Sequence, residues 1–137
     1  MRIALAAVSL LTLSVATANA ADPKGYACTF TVGTAQVYGR GVFKAEPASP
    51  LSLEIGSIDV GKQTALQTSD KGDAPLRVVR AVNALHFLEV VSEGFLNITT
   101  VYDRDDVKGA NPAVQSRHFG ILGEPVVSQY QGYCQEK

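Results

Sequence analysis

From residue 21 onward, short stretches rich in Val, Ile, Thr, Phe and Tyr alternate with groups of turn residues. The turn residues recur about every eight to twelve positions, a spacing typical of all-β domains. In the stretch 26–32 every second residue is apolar, which is the period of a strand with one buried face. Between 51 and 60 the apolar positions change parity near Gly56, and this change predicts a β-bulge.

The same pattern predicts eight or nine short antiparallel strands in sequential hairpins, at 26–32, 36–43, 51–60, 63–68, 76–82, 85–91, 95–102, 113–122 and 126–134. Consecutive hairpins favour an up-and-down barrel, closed or nearly closed, with a two-sheet sandwich as the alternative. The stretch 85–91 is apolar on both faces, so it is either a central strand covered on both sides or part of an exposed apolar patch. No amphipathic helical pattern follows residue 20.

Residues 1–20 have the pattern of a bacterial signal peptide. Arg2 supplies a positive start, the stretch 3–15 is apolar apart from Ser and Thr, and Ala18-Asn19-Ala20 precedes a cleavage site. The apolar stretch has about thirteen residues, too few to span a membrane, which takes about 20. We therefore expect a signal peptide at 1–20 and a single β-domain at 21–137 that is periplasmic or secreted.

Two cysteines, Cys28 and Cys134, lie in the first and last predicted strands. In an exported protein an even pair of cysteines usually forms a disulfide. A metal site would need further ligands at close spacing, and a catalytic thiol would need a basic partner or a helix N-terminus. A disulfide requires Cα atoms within about 7 Å, so it predicts that the first and last strands are neighbours and close the barrel.

Charge argues against two classes of partner. The chain carries 12 basic and 13 acidic residues, and removal of Arg2 with the signal peptide leaves 11 basic residues and a formal charge of −2. The basic residues are scattered, which disfavours nucleic acid and anionic membrane as partners. No later apolar stretch is long enough to span a membrane after signal cleavage.

Candidate catalytic residues are few. There is no Gly-x-Ser-x-Gly motif, and His86 and His118 are the two histidines that could act as a base. His86 lies in the most apolar stretch, where we expect a structural, hydrogen-bonded histidine. His118 follows Arg117, and consecutive strand residues point to opposite faces, so the two cannot address one ligand from a regular strand.

Metal and cofactor motifs are also weak. The carboxylates of Asp103, Asp105 and Asp106 are ligands that calcium prefers, but the loop lacks the Gly and Glu of an EF-hand, and Arg104 and Lys108 add opposing charge. Phosphate-binding glycine loops and dinucleotide motifs are absent. We therefore predict no metal and no cofactor, and we interpret the sequon at 97–99 as accidental.

The overall plan resembles that of the small periplasmic inhibitors of C-type lysozyme. The resemblance covers Tyr26-Ala27-Cys28, Gly132-Tyr133-Cys134 and the number of strands between them, and it implies a compact barrel closed by a disulfide. The Ser-Gly-x-x-x-Tyr-type inhibitory loop of that family is not found, so no inhibitory residue is carried over. The segments 116–119 and 128–130 look more like small secreted bacterial two-cysteine proteins to which no function is assigned.

Three hypotheses for function follow. We expect a non-catalytic binding or interaction module of the bacterial periplasm, whose partner is a protein or a cell-envelope component. A carrier of a small hydrophobic ligand is the alternative, although the inward Phe, Leu, Ile and Tyr would tend to fill the barrel, and a hydrolase using His118 is the third. An interior cavity of at least ~300 Å³ would favour the carrier. The candidate binding residues are Arg117, His118, Tyr130 and Tyr133.

Overall fold

The computed structural model describes residues 22–69, 72–91, 94–120 and 124–137, and this part of the chain is all-β with no helix. The predicted signal peptide, 1–20, lies outside the described residues. The strands are β1 (Tyr26–Gly39), β2 (Val42–Pro47), β3 (Leu51–Asp59), β4 (Thr64–Ser69), β5 (Gly72–Arg80), β6 (Ala84–Val91), β7 (Phe95–Tyr102), β8 (Asn111–Phe119) and β9 (Val126–Glu136).

Eight of these strands form a closed antiparallel barrel. Strands β3 to β9 pair with their neighbours in chain order, and β1 pairs with both β3 and β9. Strand β2 lies outside the barrel and pairs with the second half of β1. The predicted up-and-down barrel is therefore confirmed, with one additional strand on its outside.

Strand β1 differs from its prediction, because the expected strands 26–32 and 36–43 are not separate units. One long strand reaches Gly39, and the chain then turns through Arg40 and Gly41, whose φ angles are 51° and 84°. Two consecutive positive φ angles are typical of a tight hairpin turn. The register also shifts between Phe30 and Val32. Val32 is consequently 57% exposed, although it continues the apolar alternation.

The predicted bulge in β3 is confirmed. Its register against β4 shifts between Gly56 and Asp59, and Ser57 has a φ of 51°. The extra residue changes which parity faces inward. Ile58 is therefore buried together with Leu53 and Ile55.

The barrel closes through the disulfide between Cys28 and Cys134. The two residues lie opposite each other on β1 and β9, with Cα atoms 4.0 Å apart. Both are buried in the core, and no free cysteine remains. The predicted disulfide and the predicted adjacency of the first and last strands are thus present.

The apolar core fills the middle of the barrel. The rings of Tyr26 and Phe87 meet edge to face, with centroids 6.2 Å apart. On β6, Leu85 and Phe87 are buried in the core, while Leu88 on the outer face is half-buried. The core cluster comprises Tyr26, Cys28, Phe30, Leu53, Ile55, Ile58, Ala65, Leu76, Val78, Leu85, Phe87, Val101, Ala113, Tyr130 and Cys134.

Candidate functional site

One end of the barrel interior is polar. The strand register places Glu89 of β6 opposite Asn97 of β7, and Asn97 opposite Arg117 of β8. These positions share parity with the buried Phe87 and Val101 on the same sheet, so they lie on its inner face. Gln115 on β8 follows the same parity. A row of polar side chains therefore crosses three neighbouring strands inside the barrel.

These side chains border a cavity of about 520 Å³ that opens to solvent. We call it the polar cavity. Its volume lies within the range of ~300–1,000 Å³ that is usual for small-molecule sites. The barrel mouth is also a frequent place for such sites. The residues lining it are Leu51, Ser52, Leu53, Gln67, Gly72, Asp73, Ala74, Glu89, Asn97, Gln115 and Arg117.

Three polar atoms in the wall of the polar cavity have no hydrogen-bond partner among the residues that the structure describes. They are Asn97 Oδ1, Gln115 Oε1 and Arg117 Nε. Asn97 is 8% exposed and Gln115 is 3% exposed. Buried polar groups are almost always hydrogen-bonded, and an orphaned buried group costs about 1–3 kcal/mol. Three such atoms around one cavity favour a site that is completed by a bound molecule.

A hydrogen bond fixes how Asn97 is turned. Its Nδ2 donates to Oε2 of Glu89 at 2.7 Å. An ionised carboxylate can only accept hydrogen bonds, so the Asn97 amide nitrogen must point to Glu89. Oδ1 is consequently the end of the amide that remains as an acceptor.

The four candidate residues from the sequence do not form one site. Arg117 lines the polar cavity, whereas His118 is exposed on the opposite face of β8. Tyr130 is buried in the core and lies opposite Gln115 on the neighbouring strand. Tyr133 is exposed, with the ammonium of Lys108 5.0 Å from its ring centre.

Sequence reasoning missed Glu89, Asn97 and Gln115 as site residues. In the stretch 95–102 the apolar Leu96 and Ile98 suggest one inward face, yet Asn97 is buried and they are half-buried. The signal that could have found the site is a polar residue in each of three successive strands at positions that pair across the sheet. Recognising it requires the register of β6 against β7 and of β7 against β8, which the residue pattern of each strand does not give.

A second cavity, of about 380 Å³, lies at the opposite end of the barrel. Asn111 lines it, and its Nδ2 donates to the backbone oxygen of Tyr102 at 2.9 Å, while Oδ1 has no partner in the described ranges. Arg80 in the same wall already forms an ion pair with Asp22. Arg104 and the carboxylates of Asp103 and Glu136 also line this cavity. Its wall contains one unpartnered buried polar atom among the described residues, against three in the polar cavity, so we regard the polar cavity as the stronger candidate site.

His86 and Asp105, considered from the sequence for catalysis and metal binding, make structural contacts. Nδ1 of His86 lies 2.9 Å from Oγ1 of Thr100. Oδ1 of Asp105 accepts hydrogen bonds from the backbone N–H groups of Val107 and Lys108, at 2.9 and 3.0 Å, which stabilises the turn. Within the described ranges, no group of three His, Cys, Asp or Glu residues is placed to hold a metal ion.

No family model, no curated protein and no solved structure matches this chain. Among the residues that the structure describes, no helix has the length and apolar character needed to cross a membrane.

Proposed function

We propose that this chain is an exported, non-catalytic binding module of the bacterial periplasm that holds a small polar molecule in the polar cavity. The observation that carries the proposal is the set of three unpartnered polar atoms, on Asn97, Gln115 and Arg117, around a cavity of about 520 Å³. The disulfide fits an oxidising compartment. The signal-peptide pattern at the N-terminus supports export.

The lining determines which kind of ligand we propose. The wall combines charged and amide side chains with the apolar Leu51, Leu53 and Ala74. A hydrophobic ligand would leave the buried amide oxygens of Asn97 and Gln115 without partners and would gain nothing from Arg117. A polar molecule pairs with these atoms, so we prefer it to the hydrophobic ligand considered from the sequence.

The variant Gln115→Leu tests the proposal. Leucine has a similar volume but removes the orphaned buried oxygen, so we expect the free energy of unfolding to rise by about 1 kcal/mol. The same change should weaken ligand binding by up to about tenfold, because it removes one polar contact in the cavity. The measurement is the shift in melting temperature with amino acids, short peptides, sugars, nucleosides, dicarboxylic acids and fatty acids, followed by titration calorimetry on any class that gives a shift.

His118→Ala is the matched control, because His118 lies three residues from Gln115 but on the outer face of the same strand. It should bind the ligand as the unmodified protein does. Two results would refute the proposal. One is that no class of compound stabilises the protein; the other is that the ligand binds Gln115→Leu and the unmodified protein equally well.

A second candidate function is binding of a protein or a cell-envelope component through the β1–β2 hairpin. Strand β2 of this hairpin lies outside the barrel, and its Phe43 is 56% exposed, with the ring 4.9 Å from that of Tyr38. Exposed apolar groups outside the core are frequent at interaction sites. A partner retained from periplasmic extract by the unmodified protein and by Lys44→Ser, but lost with Phe43→Ser, would support it. Equal retention by all three would rule the hairpin out.

A further inference from the structure

We infer that the ligand of the polar cavity is a small zwitterion, an amino acid or short peptide, with its ammonium group at Glu89 and its carboxylate at Arg117. This inference rests on the proposed function and specifies the ligand class of the same site. It follows from the charges, the free hydrogen-bonding atoms and the register of the cavity wall.

The cavity wall contains a cation and an anion that do not neutralise each other. Within the described part of the chain, the guanidinium of Arg117 forms no ion pair with any carboxylate. Its Nε has no hydrogen-bond partner among the described residues, and its central carbon lies 5.1 Å from the centre of the Phe119 ring. Glu89 likewise forms no ion pair there and accepts a hydrogen bond from the neutral Asn97. Both charges therefore remain available to a ligand.

Register sets the distance between the two charges. Glu89 and Arg117 lie on strands separated by β7, with Asn97 between them. Neighbouring strands are about 4.8 Å apart, so the two backbones are roughly 10 Å apart. This spacing leaves room for a small molecule between the side chains of Glu89 and Arg117. Such a molecule would lie over Asn97 on the middle strand.

The hydrogen-bond acceptors and donors of the cavity wall are separated in the same way as its two charges. Glu89 and the free Oδ1 of Asn97 are acceptors, and Oε1 of Gln115 is a third acceptor nearby. An ammonium group offers three donors and no acceptor, so it matches these atoms. Arg117 offers donors only, and its planar guanidinium matches a carboxylate better than any other common anionic group except phosphate.

Other ligand charges fit less well. A neutral sugar would leave Arg117 and Glu89 without counter-charges in a partly enclosed space. A simple anion would be repelled by Glu89 and by Asp73 at the mouth, and a simple amine would be repelled by Arg117. A zwitterion pairs with both charges. The apolar Leu51, Leu53 and Ala74 offer a surface for an apolar ligand side chain.

The test uses matched ligands on the full oxidised protein. Amino acids and dipeptides are titrated by calorimetry beside their N-acetylated and C-amidated forms. Each modification removes one charge and leaves the rest of the molecule nearly unchanged. Because a hydrogen bond to a charged group is stronger than a neutral one, we expect each modification to weaken binding by about tenfold or more.

Two variants assign the ends of the ligand. In Arg117→Met the preference for the free carboxylate over the amide should disappear, while the preference for the free amine remains. In Glu89→Gln the reverse should hold. A purely structural role of either residue would weaken all ligands equally and leave both preferences intact, and that result would overturn the assignment. If a variant does not fold, the comparison of modified ligands on the unmodified protein still decides the ligand class.

The outcomes separate this inference from the proposed function. Binding of a sugar or another neutral compound that is weakened in Gln115→Leu, with no binding of zwitterions, would refute the inference and keep the proposed function. Equal binding of free, acetylated and amidated forms would also refute the inference. Absence of binding by every class of compound would refute both.

Discussion

Gly132 of β9 lies opposite Phe30 of β1, beside the register shift between these strands. A Cβ atom at this position would lie 2.0 Å from the backbone oxygen of Thr29 and 2.6 Å from the Cα of Phe30. Both are backbone atoms, so the strands would have to separate. We expect Gly132→Ala to lower the free energy of unfolding by about 3 kcal/mol, at the upper end for overpacking, as measured by denaturant unfolding of the oxidised protein.

Gly56 provides the control for this substitution, since it is also a strand glycine but has no atom within 4 Å of the point that a Cβ would occupy. Gly56→Ala should change the free energy of unfolding by no more than about 0.5 kcal/mol. Equal stability of the two variants would contradict the close approach of the β1 and β9 backbones at Gly132.

The phenol of Tyr26 should make the free energy of unfolding depend on pH in the alkaline range. Burial, and then the negative charge of Glu136, raises the pKa of this phenol to about 12. Below about pH 10 the phenol is protonated in both the folded and the unfolded state, so its contribution is fully present. As the pH rises from about 10 to about 12 the unfolded state loses the proton first, and stability should fall by roughly 2 kcal/mol.

Tyr26→Phe keeps the ring contact with Phe87 and removes the ionisable group. Groups other than Tyr26 titrate in both proteins, so the informative quantity is the difference between their free energies of unfolding across this pH range. The unmodified protein should lose more stability than the variant. Parallel pH dependence of the two proteins would contradict a raised pKa at Tyr26.

The sequence alone does not show which polar side chains of the site point into the barrel. Arg117 could be named from the sequence as a candidate, and alternation correctly separated it from His118. Asn97 and Gln115 could not be recognised, because polar residues on a strand normally face solvent. In a small barrel the inward face can also be polar near an open end, and only the register of three strands shows that these residues meet.

At the scale of elements, strands bounded by clear groups of turn residues were predicted well. Strand β7 has the predicted bounds, and the change of parity near Gly56 marked the bulge of β3. Strand β1 was divided wrongly, because its bulge after Phe30 resembles a strand end. The turn at Arg40-Gly41 was hidden since Arg40 adopts a positive φ, which non-glycine residues seldom do.

The position of β2 follows from that turn. A hairpin in the second half of β1 places β2 next to β1 at the point where β3 has already ended its pairing. Strand β2 therefore extends the sheet outside the barrel instead of entering it. Counting strands from the sequence gives the right number, but it does not reveal which strand lies outside.

At the scale of the whole molecule, the two cysteines predicted closure because they impose one long-range contact. Cys28 and Cys134 are separated by 106 residues in the sequence and are bonded across β1 and β9. Sequence patterns report on neighbours a few residues apart, so a strand order usually has to be inferred. The disulfide supplied the one pairing that sequential hairpins leave open, between the first strand and the last.

Stability should depend strongly on this closure. A bridge across a loop of about 100 residues is worth about 4.7 kcal/mol in the chain-entropy model, because it restricts the unfolded state. We expect the double variant Cys28→Ala/Cys134→Ala to lose about 4–5 kcal/mol of unfolding free energy, measured by denaturant. The unmodified protein in reductant is the control, because it loses the bond but keeps both sulfur atoms. It should lose a similar amount of unfolding free energy. Equal stability of oxidised and reduced protein would show that β1 and β9 do not need the bond.

The folded form of the double variant should nevertheless keep the ligand. Cys28 lies opposite Leu53, which lines the polar cavity, but the three side chains with unpartnered atoms lie on β7 and β8, and neither of these strands pairs with β1. Strand pairing between β1 and β9 continues as far as Val37 opposite Val126, so it does not rely on the bond alone. Under conditions where the variant is folded, its dissociation constant for the ligand should therefore stay within about threefold of that of the unmodified protein, a difference of less than about 0.7 kcal/mol. A large loss of affinity would mean that closure shapes the cavity as well as stabilising the barrel.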